Sequence, residues 1–145
     1  MQKAERLGNL IFEIIPICKN KEEELAEEHG LLHTEFKCFR LFEVGENMNN
    51  KELAERMRLS QSRLTRIMDG LVKKGYMNRE IDKSDRRNMK LSLSRRGKIL
   101  TKKVNDAYID IHSEILEEIE VTEHESLITT MEHLDRAVEK WLNKQ

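Results

Sequence analysis

Apolar side chains recur at Leu7, Leu10, Ile11, Ile14, Ile15 and Cys18, the i, i+3, i+4 spacing of one helical face, and predict an amphipathic helix over residues 4–28. Pro16 removes a backbone donor inside it, so a kink or local break is expected there. Gly30 closes the segment. A short aromatic helix follows over residues 34–42, with Phe36, Phe39 and Leu41 or Phe42 inward, stopping at Gly45. Asn49, with Glu52 three residues on, outlines a capped start for a helix over residues 50–57 that buries Leu53, Ala54 and Met57. Arg58 and Leu59 then make a tight turn. Ser60 is the next N-cap, and residues 61–74 carry Leu64, Ile67, Met68, Leu71 and Val72 on one stripe before Gly75 stops the helix. Two short capped helices around a tight turn are the outline of a helix-turn-helix.

Beyond Gly75 the period changes from 3.6 to 2. Residues 76–81 read as one strand and Met89, Leu91 and Leu93, alternating with Lys90 and Ser92, as a second. Their connection, Asp82 to Asn88, is polar and too long for the tightest hairpin turns, so it projects as a wing. A long helix is predicted from Arg95 to about Glu120, burying Ile99, Tyr108, Ile111, Ile115 and Ile119. Thr122 with Glu125 suggests a capping box for a last helix bearing Leu127, Ile128, Met131, Leu134, Val138, Trp141 and Leu142.

The fold class expected is mainly α with a small β-hairpin. Residues 34–103 are expected to form a winged helix-turn-helix, a DNA-binding domain, and the terminal helices of residues 1–33 and 104–145 a dimerisation domain. Their apolar stripes exceed what a small winged-helix core can absorb, and a symmetric dimer would bury them.

Charge sharpens this picture. The chain has 145 residues, 37% of them charged, and a net charge of −1. Residues 51–103 alone carry a net +11 and the remainder −12, so a cationic block lies between acidic arms, as suits nucleic acid. Off the apolar stripe of the 61–74 helix, near its start, stand Gln61, Ser62, Arg63, Thr65 and Arg66. These side chains suit base edges and phosphates: arginine can bridge guanine O6 and N7, and glutamine can pair with adenine. The alternative is a solvated helix face. Arg95, Arg96 and Lys98 oppose the dipole at a helix start, which a phosphate partner or pairing with Asp82 or Asp85 would offset. Arg86 and Arg87, near the wing tip, suit a narrow minor groove. Asp82 and Asp85 suit loop-ordering hydrogen bonds or salt bridges to arginine.

The run Lys51-Glu-Leu-Ala-Glu-Arg-Met57, then Leu59-Ser-Gln-Ser-Arg-Leu-Thr-Arg66, Gly70-Leu-Val-Lys-Lys-Gly75 and Asp82-Lys-Ser-Asp-Arg-Arg-Asn-Met-Lys-Leu-Ser-Leu-Ser-Arg-Arg-Gly97 resembles the MarR family of bacterial winged-helix regulators. The likeness covers residues 34–100 by motif and the whole length by helix order. Ser94 stands where that family more often has threonine, which keeps the N-cap chemistry. The resemblance implies a homodimer with intertwined terminal helices that binds a pseudo-palindromic operator as a repressor and is released by a small apolar or aromatic effector. Two reading helices related by a two-fold axis would reach half-sites about 34 Å apart.

Other chemistry is weighed against this reading. No nucleophile elbow, phosphate loop, zinc-protease or dinucleotide motif occurs, so an enzyme is not expected and no cofactor is implied. His29, His33, Cys38 and His112 are candidate metal ligands, since some members of the resembled family sense zinc from these regions, but Gly30 breaks the first pair's helical spacing. His124 and His133 read as solvent residues. Cys18 is a redox candidate because some members of that family sense peroxide through the first helix; its place on the apolar stripe makes an inert core thiol the default. Cys38, between Phe36 and Phe39, reads as packing. Ile14, Phe36, Phe39 and Tyr108 are candidate linings of an effector pocket, or simply core. A metal- or peroxide-responsive regulator, a nonspecific nucleic-acid binder and a protein-docking winged helix therefore stand as alternatives. Charges recur through residues 1–28, leaving no run long enough for a signal or membrane span. A cytoplasmic protein with free thiols is expected.

Overall fold

In the computed structural model, which describes residues 2–42, 47–85 and 87–145, the elements run α1 (Lys3–Glu28), α2 (His33–Leu41), β1 (Asn47–Asn49), α3 (Asn50–Met57), α4 (Gln61–Lys73), β2 (Met77–Ile81), β3 (Met89–Leu93), α5 (Arg95–Glu117) and α6 (Val121–Asn143). The chain divides into two compact units, Met1–Ala107 and Tyr108–Gln145. Gly45, the expected stop after α2, and Arg86 lie outside the described residues.

Local chemistry accounts for the ends of these helices. After α1, the Gly30 N–H reaches Glu27 O and the Leu31 N–H reaches Ala26 O, a Schellman closure with Gly30 at φ +69°. The end of α4 repeats it, with Gly75 at φ +81° and the Gly75 and Tyr76 N–H groups on Val72 O and Leu71 O. Between α3 and α4 the left-handed position falls to Arg58 (φ 56°), whose side chain makes that conformation cost about 1–2 kcal/mol. Hydrogen bonds from the Arg58 and Leu59 N–H groups to Glu55 O and Ala54 O hold this turn closed.

The core of the first unit joins Phe36 and Phe39 of α2, Leu53 of α3, Leu64 and Leu71 of α4, and Leu91 of β3, each at most 1% exposed. The sheet is antiparallel in the order β1-β3-β2. Met48 lies opposite Leu91 and Met77 opposite Leu93, and all four are buried, so one face of the sheet closes over the helices.

Several expectations are corrected. The helix through Pro16 is unbroken: the missing donor frees only the carbonyl four residues back, on Phe12, which is itself exposed and open to water. The hairpin is one part of a three-stranded sheet, because the short strand β1 pairs with the free edge of β3. Met57 is half-buried rather than buried, and on the α4 stripe Ile67 and Val72 are half-buried. Leu7, Leu10, Ile14 and Ile15 of α1 are exposed within the chain, as expected of a stripe that a small winged-helix core does not absorb. In α5 the buried residues are Gly97, Thr101 and Val104, whereas Ile99 and Ile115 are exposed and Tyr108, Ile111 and Ile119 half-buried.

The second unit corrects the last helix start. Thr122 is not the cap: α6 begins at Val121 behind Glu120, without a side-chain cap bond. The ring Nε2–H of His124 reaches back to Leu116 O (2.8 Å), in the last turn of α5, and to Ile119 O (2.9 Å), in the turn that follows, tying the start of α6 to the end of α5. His124 is thus a structural residue; His133 is exposed, as expected. No residue of α6 is buried within the chain, and no helix among the described residues is long and apolar enough to cross a membrane.

Candidate nucleic-acid interface

The helix-turn-helix is built from two capped starts. Asn49 Oδ1 accepts the Glu52 N–H at 2.7 Å, while Asn49 Nδ2 donates to Glu52 Oε1 at 3.1 Å, a side-chain variant of the capping box. Ser60 Oγ accepts the Arg63 N–H at 3.3 Å. With Leu64, Met68 and Leu71 buried, the opposite face of α4 turns outward. Gln61, Ser62, Arg63, Thr65 and Arg66 are all exposed on it.

Their readiness for a partner differs. The Thr65 hydroxyl donates to Gln61 O at 2.8 Å, and Ser62 Oγ lies 3.3 Å from Ser60 Oγ. Gln61 Oε1 accepts from Asn50 Nδ2 at 3.2 Å. The guanidinium groups of Arg63 and Arg66 have no hydrogen bond or ion pair among the described residues, so both are available to an anion or a base edge.

The opposite end of α4 is anchored. Glu35 of α2 is 1% exposed; its Oε1 accepts the Leu32 N–H at 2.8 Å and meets Lys74 Nζ at 2.5 Å. Lys74 Nζ also reaches Gly30 O at 3.2 Å. A Cβ on Gly70 would lie 2.9 Å from Glu35 Oε2, so a glycine there lets α4 approach the carboxylate closely. Lys74 enters the sequence only as part of the Gly70–Gly75 motif, which carries no sign of its buried partner 39 residues away along the chain. Asp69 of α4 additionally pairs with Arg79 of β2.

The wing loop is ordered by its acids, as expected. Asp82 Oδ1 accepts both the N–H and the hydroxyl of Ser84, at 2.9 and 2.7 Å. The Ser84 hydroxyl, helped by that N–H, holds the Asp82 carboxyl below its usual range. Asp85 Oδ1 accepts the Arg87 N–H at 3.0 Å and lies 3.7 Å from Arg87 Nε. The Arg87 side chain is 95% exposed, held only loosely by that acid.

At the wing base, Ser94 stitches three elements together. Its Oγ accepts the Gly97 N–H at 3.0 Å as the cap of α5 and donates to Gly75 O at 2.7 Å. The three cations at the start of α5 diverge. Arg96 lies over the Tyr76 ring, 5.2 Å from its centroid, and donates to Lys74 O at 3.3 Å. Arg95 and Lys98 are exposed and have no ion pair among the described residues; neither Asp82 nor Asp85 pairs with them.

The sensing candidates are dispersed. His29 Nδ1–H donates to Leu25 O at 2.8 Å, His33 stacks on Phe36 with Nε2 3.6 Å from Glu22, and His112 Nδ1–H donates to Tyr108 O at 2.8 Å. Among the described residues no three His, Cys, Asp or Glu side chains are grouped to hold a metal ion. Burial, reinforced by Glu35, pushes the Cys38 thiol up to about 12, so at neutral pH it is neither thiolate ligand nor nucleophile. Iodoacetamide at pH 7.5 is accordingly expected to spare Cys38 in the folded protein, as mass spectrometry of the digest would show; labelling as fast as in urea would contradict its burial. Cys18 is exposed within the chain, contrary to a core thiol, because the stripe that carries it is uncovered. Of the effector candidates, Phe36 and Phe39 are core, with Phe39 edge-on to Tyr76 at 6.1 Å. Ile14 is exposed, and Tyr108 packs on His112 of its own helix at 4.4 Å.

Residues 31–89 match the model of the MarR family. The transcriptional regulator SarZ of Staphylococcus epidermidis is 30% identical over 127 residues, 83% of either chain. This chain belongs to the MarR family. SarZ of Staphylococcus aureus is 29% identical over 106 residues, 73% of this chain and 69% of that protein. The fold of this MarR-family protein recurs in a MarR regulator of Methanosarcina mazei (TM-score 0.83, 18% identity, 94% and 98% of the two chains). It recurs also in Streptococcus pneumoniae FabT, whose structure is of a complex with DNA (TM-score 0.80, 15% identity, 96% and 99% covered). The winged helix-turn-helix expected from the motifs is thus the fold of the chain.

Proposed function

We propose that this protein is a transcriptional regulator that binds double-stranded DNA as a homodimer, with α4 in the major groove and the wing along the adjoining minor groove. The observation that carries the reading is the outward face of α4, where Arg63 and Arg66 have no partner among the described residues and stand inside a segment of net charge +11. SarZ, named as a transcriptional regulator, and FabT, seen with DNA, support the same reading. Gln61, Ser62 and Thr65 accompany the arginines at the base edges. Arg87, Arg95 and, in part, Arg96 serve as contacts to phosphates or the minor groove, a role the reading extends to Arg86 from its place in the sequence alone.

The dimer rests on uncovered apolar surface. Phe12, Ile14 and Ile17 of α1 and Met131, Val138 and Trp141 of α6 are each 43–80% exposed, more than a monomer of this size ordinarily leaves in water. A partner copy covering α1 and α6 accounts for it and pairs two reading helices on a pseudo-palindromic operator. Repression, and release by a small apolar or aromatic effector that changes the spacing of the two heads, complete the reading by family likeness.

Arg66→Ala is expected to weaken operator binding by about 1–3 kcal/mol, and Arg87→Ala to lower the slope of log affinity against log salt by about 0.9 for each phosphate that its guanidinium no longer neutralises. Fluorescence anisotropy titrations at several salt concentrations measure both. Unchanged affinity in a folded Arg66→Ala protein would contradict the role given to α4. Sedimentation equilibrium of the same samples should return twice the chain mass.

A further inference from the structure

One side chain, Asn50, touches both surfaces assigned to DNA. Asn50 is the first residue of α3, yet its amide does not cap that helix, because Asn49 already does. Instead Asn50 Nδ2 donates to Gln61 Oε1 at 3.2 Å and Asn50 Oδ1 accepts the Met89 N–H at 3.1 Å. Gln61 is the first residue of α4, and Met89 is the first of β3, where the wing loop rejoins the sheet. The β1·β3 ladder ends at Asn49 opposite Lys90, so the Asn50 side chain adds one further rung toward the wing tip. That rung is bonded in turn to the start of the reading helix.

A duplex engages helix and wing together only if their separation is set in advance. Binding at either one then lowers the entropic cost of binding at the other. Resting on the DNA-binding reading above, we propose that Asn50 is a positioning residue through which the first turn of α4 and the wing are energetically coupled when the protein holds DNA. It need not touch the nucleic acid. It holds the Gln61 side chain in one arrangement while fixing the base of the loop that carries Arg87.

The test is a set of double-mutant cycles. Affinity is measured for the tightest duplex that the wild-type protein enriches from a random pool. Arg66→Ala reports the reading helix and Arg87→Ala the wing, singly and together. With Asn50 present, the combined loss is expected to fall short of the product of the single losses by about fivefold. In the Asn50→Ala background the losses should multiply to within about twofold. Gln61→Ala removes the α4 arm, together with any base contact of Gln61 itself, but leaves the Met89 bond, and the cycle measured within that background should be uncoupled as well, so the result does not depend on Asn50→Ala folding. Asn50→Asp keeps an acceptor for Met89, and Gln61 can turn its amide to donate, so coupling should survive there. Single losses that already multiply in the wild-type background would overturn the coupling and leave the DNA-binding reading standing. Coupling that persists in both Asn50→Ala and Gln61→Ala would overturn Asn50 as its route. Single substitutions without effect on affinity would overturn the DNA-binding reading and the coupling with it.

Discussion

Gly97→Ala is expected to destabilise the protein by about 3 kcal/mol, the upper range for forcing volume into a packed site. Gly97 is buried in the first turn of α5, beneath the chain that leaves α4. A Cβ there would stand 2.9 Å from the Tyr76 carbonyl carbon and closer still to its oxygen. Backbone cannot rotate aside as a flexible side chain can. Nor is this carbonyl idle, since the Ser94 N–H donates to it at 3.0 Å, beside the Ser94 bonds to Gly75 and Gly97. Relief therefore requires α5 to move off the α4–β2 turn and break the joint under the wing. For a chain of this size the loss corresponds to a fall of roughly 6–12 °C in melting temperature, read by circular dichroism. A melting temperature within about 2 °C of the wild type would show that the joint yields freely.

The second large effect is an asymmetry across the Glu35–Lys74 pair. Lys74→Met is expected to cost about 2–3 kcal/mol and Glu35→Gln no more than about 1 kcal/mol. The side chain of Glu35 is 2% exposed, that of Lys74 37%. Removing the lysine strands a carboxylate in the core with only the Leu32 N–H as partner among the described residues. Removing the carboxylate's charge keeps an acceptor for that N–H and leaves an ammonium group that reaches both water and Gly30 O. Urea denaturation of the two variants measures the difference. Equal losses, or a larger loss in Glu35→Gln, would mean that the pair is solvated and does not anchor α4.

These two sites also show where sequence reasoning stops. The capped starts of α3 and α4, the glycine after α4 and the alternation in β3 are written in neighbouring residues, and each was legible. The helix-turn-helix and its outward residues followed from them. β1 carries no alternation of its own; it is a strand because β3 offers an unpaired edge, which only the assembled sheet displays. Glu35 and Lys74 meet across 39 residues and look, in sequence, like two ordinary surface charges. Asn50 reads as a second asparagine beside a cap. At the start of α6 the local signal of Thr122 and Glu125 pointed past the true start, where His124 reaches backward to carbonyls of the last turn of α5 and of the connecting turn. The apolar stripes of α1 and α6 were legible as stripes. What covers a stripe is not written in the residues of the stripe itself.

The outward face of α4 and the wing are proposed to read DNA sequence. The most direct test is fluorescence anisotropy of the wild-type protein on the duplex upstream of its own gene, titrated at several salt concentrations with unrelated duplex as competitor. The account requires saturable binding that weakens with salt yet survives an excess of the competitor. Binding lost equally to any duplex would contradict sequence reading and reduce the cationic segment to a general polyanion surface.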